Sequence, residues 1–393
     1  MLESRVGREL YRLLESPCGV RGEGPWEDGQ DFDARLKSAT GRERVWWLAL
    51  AGDRLMRAQD GAEARRVWIE GVEIARQCQR HEAADLLRVY VALAGALDGE
   101  TLEARGALIR LAGAVSCPWL SGHAALWSSV LGAPWRQVSE QVGASLLSLD
   151  RVQRVDVWRS LARQALEQAL LRGDQVHTRE WMAWVRPDAG ERGSGSWLGR
   201  LPAQAWKSGL LEDSGEPEPE HAHDSVPWFK LDAAESALRR GEVDEARHSL
   251  SRLLGHAEEG EDHRAVVEAS WLLGVTQLLR SHPEDALHRL ERARRTCEER
   301  LDPMRSMTCS SLILVGEAWS GRMDAAAARS MEVRTPKDAP RLQETARLAE
   351  HIFTALQAGG KVSGPREAVR DSLERGPLEH LVLERIARRI QAG

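Results

Sequence analysis

The chain has 393 residues, of which 42% are hydrophobic and 29% charged; this is enough apolar material for two or three ordinary cores, and it excludes wholesale disorder. The formal charge of −6 is concentrated between Glu212 and Asp224, where six acidic residues occur with no Lys or Arg, so the remainder is neutral and lacks the basic excess of a nucleic-acid binder. No apolar run approaches the roughly 20 residues of a membrane-spanning helix, and Met1-Leu2-Glu3-Ser4-Arg5 opens no apolar stretch of signal-peptide length, so a soluble, cytoplasmic protein is expected.

From the N-terminus, a first helix runs into a Gly- and Pro-rich loop at Ser16 to Asp31. Beyond it Ala, Leu, Arg and Glu dominate, with apolar residues recurring every three or four positions, and no convincing strand is found. The stretch from about 115 to 185 reads as helix, with Gly173-Asp174 as a hairpin turn. A break follows from Arg186 to Pro227, through Gly193-Ser194-Gly195-Ser196 to Glu216-Pro217-Glu218-Pro219-Glu220; repeated Pro, Gly and like charges cannot sustain a helix. The chain closes on an amphipathic segment carrying Leu378, Leu381, Val382, Ile386 and Ile390 on one face. These elements predict an all-α protein in three parts: an N-terminal helical block at 1–186, a linker at 187–227, acidic and mobile in its second half, and a C-terminal block with a capping helix at 228–393. The five cysteines are widely spaced and form no Cys-x-x-Cys pair, so buried thiols are expected in place of disulfides or structural zinc.

Internal similarity carries the most information. Gly241-Glu242-Val243-Asp244-Glu245-Ala246-Arg247 matches Gly99-Glu100-Thr101-Leu102-Glu103-Ala104-Arg105, and Glu63-Ala64-Arg65 repeats the ending. Ala64 and Ala104 are 40 residues apart, as are Ala246 and Ala286, and Ala286 and Ala326; a weaker copy surrounds Ala368. A helical hairpin explains the pattern. Gly, or Ser281, ends the first helix in a left-handed conformation; Asp244, Glu284 or Asp324 sits in the first turn of the second; the Ala fits where two helices cross closely. One hairpin cannot bury its apolar face alone, so such units stack into a solenoid.

The copy Leu273-Gly274, Ala286, Leu290, Ala293 resembles the tetratricopeptide-repeat family, and Gly52, Ala64, Trp68 and Gly71 repeat its spacings. Leu314 occupies a position that is small in that family, Gln277 stands where Tyr is frequent, and the period is 40 instead of 34, similar to the extended repeats of kinesin light chains and large bacterial regulators. Good matches cover roughly 42 to 114 and 229 to 335. HEAT-type repeats share the longer period and are the competing reading.

Enzyme motifs are largely missing: the Gly-Lys at Gly360-Lys361 lacks a phosphate-loop context, and there is no Gly-x-Ser-x-Gly elbow. His81-Glu82-Ala83-Ala84-Asp85 departs from a zinc-protease helix at its last residue, and His221-Ala222-His223-Asp224 reads as a solvated tail before it reads as a metal site. No cofactor, metal or catalytic residue is therefore expected. Thirteen of 15 tryptophans lie at or before Trp228, and their first reading is core packing. Trp46 and Trp228 each precede a turn alanine by 18 residues and Trp271 by 15, which the resemblance places on the first helix of a hairpin, whose exposed face lines the groove; these three are the partner-binding candidates. A carboxylate clamp of the chaperone-binding kind cannot be built without Asn, which the chain lacks. The expected function is binding of another protein, encoded nearby, as a non-catalytic adaptor or scaffold. The alternative is a regulatory, inhibitory or proteolytically cleaved component of a bacterial signalling or defence system, prompted by the acidic Pro/Glu stretch.

Overall fold

The computed structural model describes residues 29–57, 60–115, 117–149, 155–185, 210, 227–259, 263–299, 302–333, 335–360 and 376–392. Among them are seventeen helices and no strand. The expected loop at Ser16 to Asp31 ends earlier than its Gly and Pro content implied, because helix starts at Gly29. The expected linker, 187–227, lies almost wholly outside the described residues, as does the copy around Ala368.

The chain forms two compact units, Met1–Ala165 and Leu166–Gly393. The first contains α1 (Gly29–Ser38), α2 (Gly41–Arg57), α3 (Gly61–Gln77), α4 (His81–Leu97), α5 (Thr101–Ala114), α6 (Pro118–Val130), α7 (Trp135–Ser148) and the start of α8 (Val155–Arg172). The second contains the end of α8, then α9 (Gln175–Val185), α10 (Pro227–Arg239), α11 (Val243–Glu259), α12 (His263–Leu279), α13 (Pro283–Glu299), α14 (Pro303–Trp319), α15 (Met323–Glu332), α16 (Pro340–Gln357) and α17 (Leu378–Ala392). Within each unit a helix packs chiefly on its neighbours in sequence; α16, however, packs on α14 more than on the short α15. The division falls within α8, before the expected edge at 186, because Glu167, Leu170 and Leu171 contact residues of the second unit.

One turn recurs throughout. At Gly241, Ser281 and Gly321 the backbone is left-handed, with φ of 82°, 61° and 76°. Each of these N–H groups donates three residues back, to Leu238, Leu278 and Ala318, and the following N–H donates five back, to Ala237, Gln277 and Glu317. This double closure satisfies carbonyls that a helix end leaves open. The same pair of bonds closes the turns at Gln79, Gly99, Gly132, Gly173 and Gly359, so the Gly173-Asp174 hairpin forms as its sequence implied. Ser281 tolerates the conformation without being Gly, and its hydroxyl accepts from Arg389 Nη1 at 3.1 Å. Asp244, Glu284 and Asp324 lie in the first turn of the following helix, where their charge favours the exposed N–H groups.

The turn alanines Ala64, Ala104, Ala246, Ala286 and Ala326 are all buried. Close crossings explain the glycines as well. A Cβ on Gly52 would lie 2.1 Å from Nε1 of Trp68, whose indole instead donates to Ala49 O at 3.0 Å; a Cβ on Gly274 would lie 2.5 Å from Cγ of Leu290. By contrast, a Cβ on Gly255, inside α11, would meet nothing within 4 Å. Gly255→Ala is therefore expected to stabilise the protein by about 0.5–1 kcal/mol through helix propensity. Gly274→Ala is expected to destabilise it by about 1–2 kcal/mol, because overpacking against buried Leu290 outweighs the same gain. Urea denaturation of the pair checks this, and two variants shifting in the same direction would contradict it.

The apolar core of the second unit is one cluster running from Leu231 on α10 to Ile390 on α17, centred on Leu250, Leu272, Leu290, Leu312 and Ile352. In the first unit Trp47, Trp68, Trp119 and Trp135 are buried, as the packing role predicted for most tryptophans requires. No helix among the described residues is long and apolar enough to cross a membrane.

Candidate functional site

The hairpins of the second unit run α10/α11, α12/α13 and α14/α15, and their first helices share a face. A cavity of about 70 Å³ lies on it, lined by α10, α12, α14, α16, α17 and the last turns of α8. Apolar walls come from Leu170, Leu171, Val267 and Leu378, while Glu167, Glu235, Glu268, Glu379, Arg239, Arg305 and Arg341 supply charge. So many ionisable groups in a low-dielectric setting require mutual pairing.

Arg305 is the hub. Its Nη2 donates to Glu167 Oε1 at 2.6 Å, its Nε to Glu268 Oε1 at 2.9 Å and its Nη1 to Asp302 Oδ2 at 2.6 Å, so three nitrogens of one guanidinium serve three carboxylates. The local sequence sets this up, since Asp302 caps α14 by accepting the Arg305 backbone N–H at 3.2 Å and Pro303 fits the first helical turn. Arg264 donates to the other oxygen of Glu167. Burial pushes the Glu167 carboxyl up, but the charges of Arg264 and Arg305 and their hydrogen bonds outweigh it and bring it down to about 2. For Arg305, burial disfavours the charge, yet Asp302, Glu167 and Glu268 hold it well above its ordinary range.

Two further pairs complete the lining. Arg341 grips Glu379 with both branches, Nε to Oε1 at 2.6 Å and Nη2 to Oε2 at 3.0 Å, and also donates to Leu170 O at 3.1 Å. Arg239 Nη2 donates to Glu235 Oε1 at 2.9 Å and to Gly376 O at 3.0 Å. Trp271 is half-buried on the same wall, and its indole Nε1 is shielded from solvent with no hydrogen-bond partner among the described residues. The result is a fixed, charge-compensated surface with an aromatic face and one donor to spare. Its volume suits water or a single side chain, well below the roughly 300 Å³ of a typical metabolite pocket.

Trp46, Trp228 and Trp271 lie on α2, α10 and α12, each the first helix of the hairpin that contains its turn alanine. Trp46 is half-buried in the first unit and Trp271 lines the second unit's cavity, while the side chain of Trp228 lies outside the described residues. Among the described residues no group of three or more His, Cys, Asp and Glu is placed to hold a metal ion. Glu82, beside His81, accepts from Trp119 Nε1 at 3.0 Å, and Asp85 pairs with Arg88, so both carboxylates of that stretch serve packing. His221 and His223 lie outside the described residues. Cys297 and Cys309 are buried thiols as expected, and burial pushes both up; Cys78 and Cys117 are only half-buried, since they sit at helix ends.

The first unit has an open groove of about 590 Å³ among α3, α4 and α5. Val72, Ala92 and Ala104 form its floor, and on its rim Arg65 pairs with Glu100 beside Ile69, which is 47% exposed.

The charged cluster around Arg305 was not foreseen from sequence. Its trace there is the placement of Glu167 and Glu268 three and four residues before apolar pairs, Leu170-Leu171 and Trp271-Leu272. Compared with protein-family models, with curated proteins and with solved structures, the chain matches none.

Proposed function

We propose that this chain is a tetratricopeptide-like repeat protein that binds another protein and performs no chemistry of its own, acting as an adaptor or scaffold. The observation that carries the reading is the hairpin turn repeated at Gly241, Ser281 and Gly321, 40 residues apart, which aligns the first helices so that Trp271 faces a shared cavity. Stacked hairpins of this kind present a continuous side-chain surface suited to a helix or loop of a partner. A half-buried Trp with an unused donor, beside fixed guanidinium groups, has the composition of a binding hot spot.

The test is affinity capture from the native host with the full chain and with Trp271→Ala. The wild type is expected to retain a stoichiometric partner, and Trp271→Ala to weaken the pair about 30-fold, the scale of a hot-spot truncation. Helicity by circular dichroism should stay unchanged. Purification of the chain with a substrate that it turns over, and with no retained partner, would overturn the reading.

A further inference from the structure

The α8–α9 segment is held by the second unit in a manner unlike the other helices. Among the described residues, the unit's main apolar core is built from Leu231 to Ile390 and includes nothing from 166–185. What joins the end of α8 to the hairpins is largely directional. Glu167, with its side chain 8% exposed, lies between Arg264 and Arg305; the Leu170 carbonyl in the last turn accepts from Arg341; Leu171 packs with Met304, Met307, Ala339 and Leu342. A carboxylate, a helix-end carbonyl and an apolar side chain at helical spacing are the features by which a groove reads a bound helix.

We propose that the common face of α12, α14 and α16 is a helix-receiving site, that α8–α9 is its resident occupant, and that the partner is a helix of the same chemistry which replaces it. That helix carries an acidic residue for Arg264 and Arg305, followed three and four positions later by leucine-sized residues. This deepens the protein-binding reading above and rests on it. The resident segment is tethered, so it competes at the high effective concentration of an intramolecular ligand. The partner's apparent affinity is correspondingly reduced by the fraction of molecules in which the site is open. Any change that weakens the resident contact therefore tightens partner binding, which a purely structural role for α8–α9 does not produce.

The experiment uses the full chain and a fluorescent peptide of residues 155–185. The peptide is expected to bind the Glu167→Gln chain at least tenfold more tightly than the wild type, and a peptide bearing the same Glu-to-Gln change to lose at least tenfold on that chain. Because the variant itself may lose structure, native-state hydrogen exchange on the wild type gives an independent reading. The α9 amides, 175–185, are expected to exchange at least tenfold faster than those of α12 and α14, through an opening that leaves the hairpins protected. Equal protection of α9 and α14 would make α8–α9 an integral layer and overturn the proposal, as would failure of the peptide to bind the Glu167→Gln chain. A doubling of mass by sedimentation on that variant would also overturn it, placing a second copy of the chain in the site. All three leave Trp271-dependent capture of a partner intact, so they are distinguishable from failure of the function itself.

Discussion

Arg305→Ala is expected to destabilise the second unit by about 3–5 kcal/mol, the range observed when one partner of a buried ion pair is removed. The reason is that Arg305, 15% exposed, is shared by three carboxylates that belong to different helices. After truncation Glu167 keeps Arg264 and Asp302 keeps its capping role on α14, but Glu268, whose side chain is 8% exposed, loses the guanidinium that neutralised it. Arg305→Lys should recover only part of the loss, since one ammonium cannot present three donors in the fixed geometry of a guanidinium. Arg136→Ala is the control: Arg136 pairs with Glu140 on α7 but is 93% exposed, and its loss should change stability by no more than about 0.5 kcal/mol. Denaturant titration of the three variants decides the matter. If Arg305→Ala falls within about 1 kcal/mol of wild type, the cluster is solvated and the burial assigned to it is wrong.

The turns were legible because their causes are local. A left-handed residue, an acid one turn later and a small residue at the crossing lie within six positions of one another, and Gly241, Asp244 and Ala246 meet all three demands. The pairing of Gly274 with Leu290 was also readable, since 16 residues within a hairpin preserve helical phase. What could not be read is which charges turn inward. Arg292, Arg294 and Arg295 alternate with Glu291, Glu298 and Glu299 on α13, and Arg294 pairs with Glu291 at 2.7 Å and Glu298 at 2.5 Å along the helix surface, as a solvated face implies. Arg305 looks no different in sequence, yet its partner Glu167 is 138 residues away, and the Leu170 carbonyl met by Arg341 is 171 away. Hydrophobic phase marks the stripe of a helix that is covered; it does not say what covers it. Trp271 was found because it shares that stripe and is recognisable by size, whereas Glu268, three residues before it, was read as polar surface.

Acid should weaken the first unit before the second, because the buried groups of each titrate in different windows. In the first unit His123 is fully buried on α6, its Nδ1 facing Gln164 Oε1 at 3.0 Å and its ring 6.0 Å from that of Trp119. Burial pushes this imidazole down from 6.5 to about 4, with the Gln164 hydrogen bond opposing the shift. The fold therefore favours the neutral ring. Above pH 6.5 neither state binds the proton and stability is full; between 6.5 and 4 the unfolded chain binds it and the folded chain does not, so stability falls as pH falls, by about 3 kcal/mol over the window. In the second unit Glu167 is lowered from 4.5 to about 2, so its contribution is complete above pH 4.5 and is lost only between 4.5 and 2, again by about 3 kcal/mol. Hydrogen exchange followed by peptide mapping from pH 7 to 3 should show α6 and α7 losing protection first, with α12 and α14 following below pH 4.5. His123→Asn, which retains a donor near Nδ1 but cannot take up the proton, should cost stability at neutral pH through its smaller volume and flatten the first unit's dependence between 6.5 and 4. An unchanged slope in that variant would assign the acid sensitivity to another group.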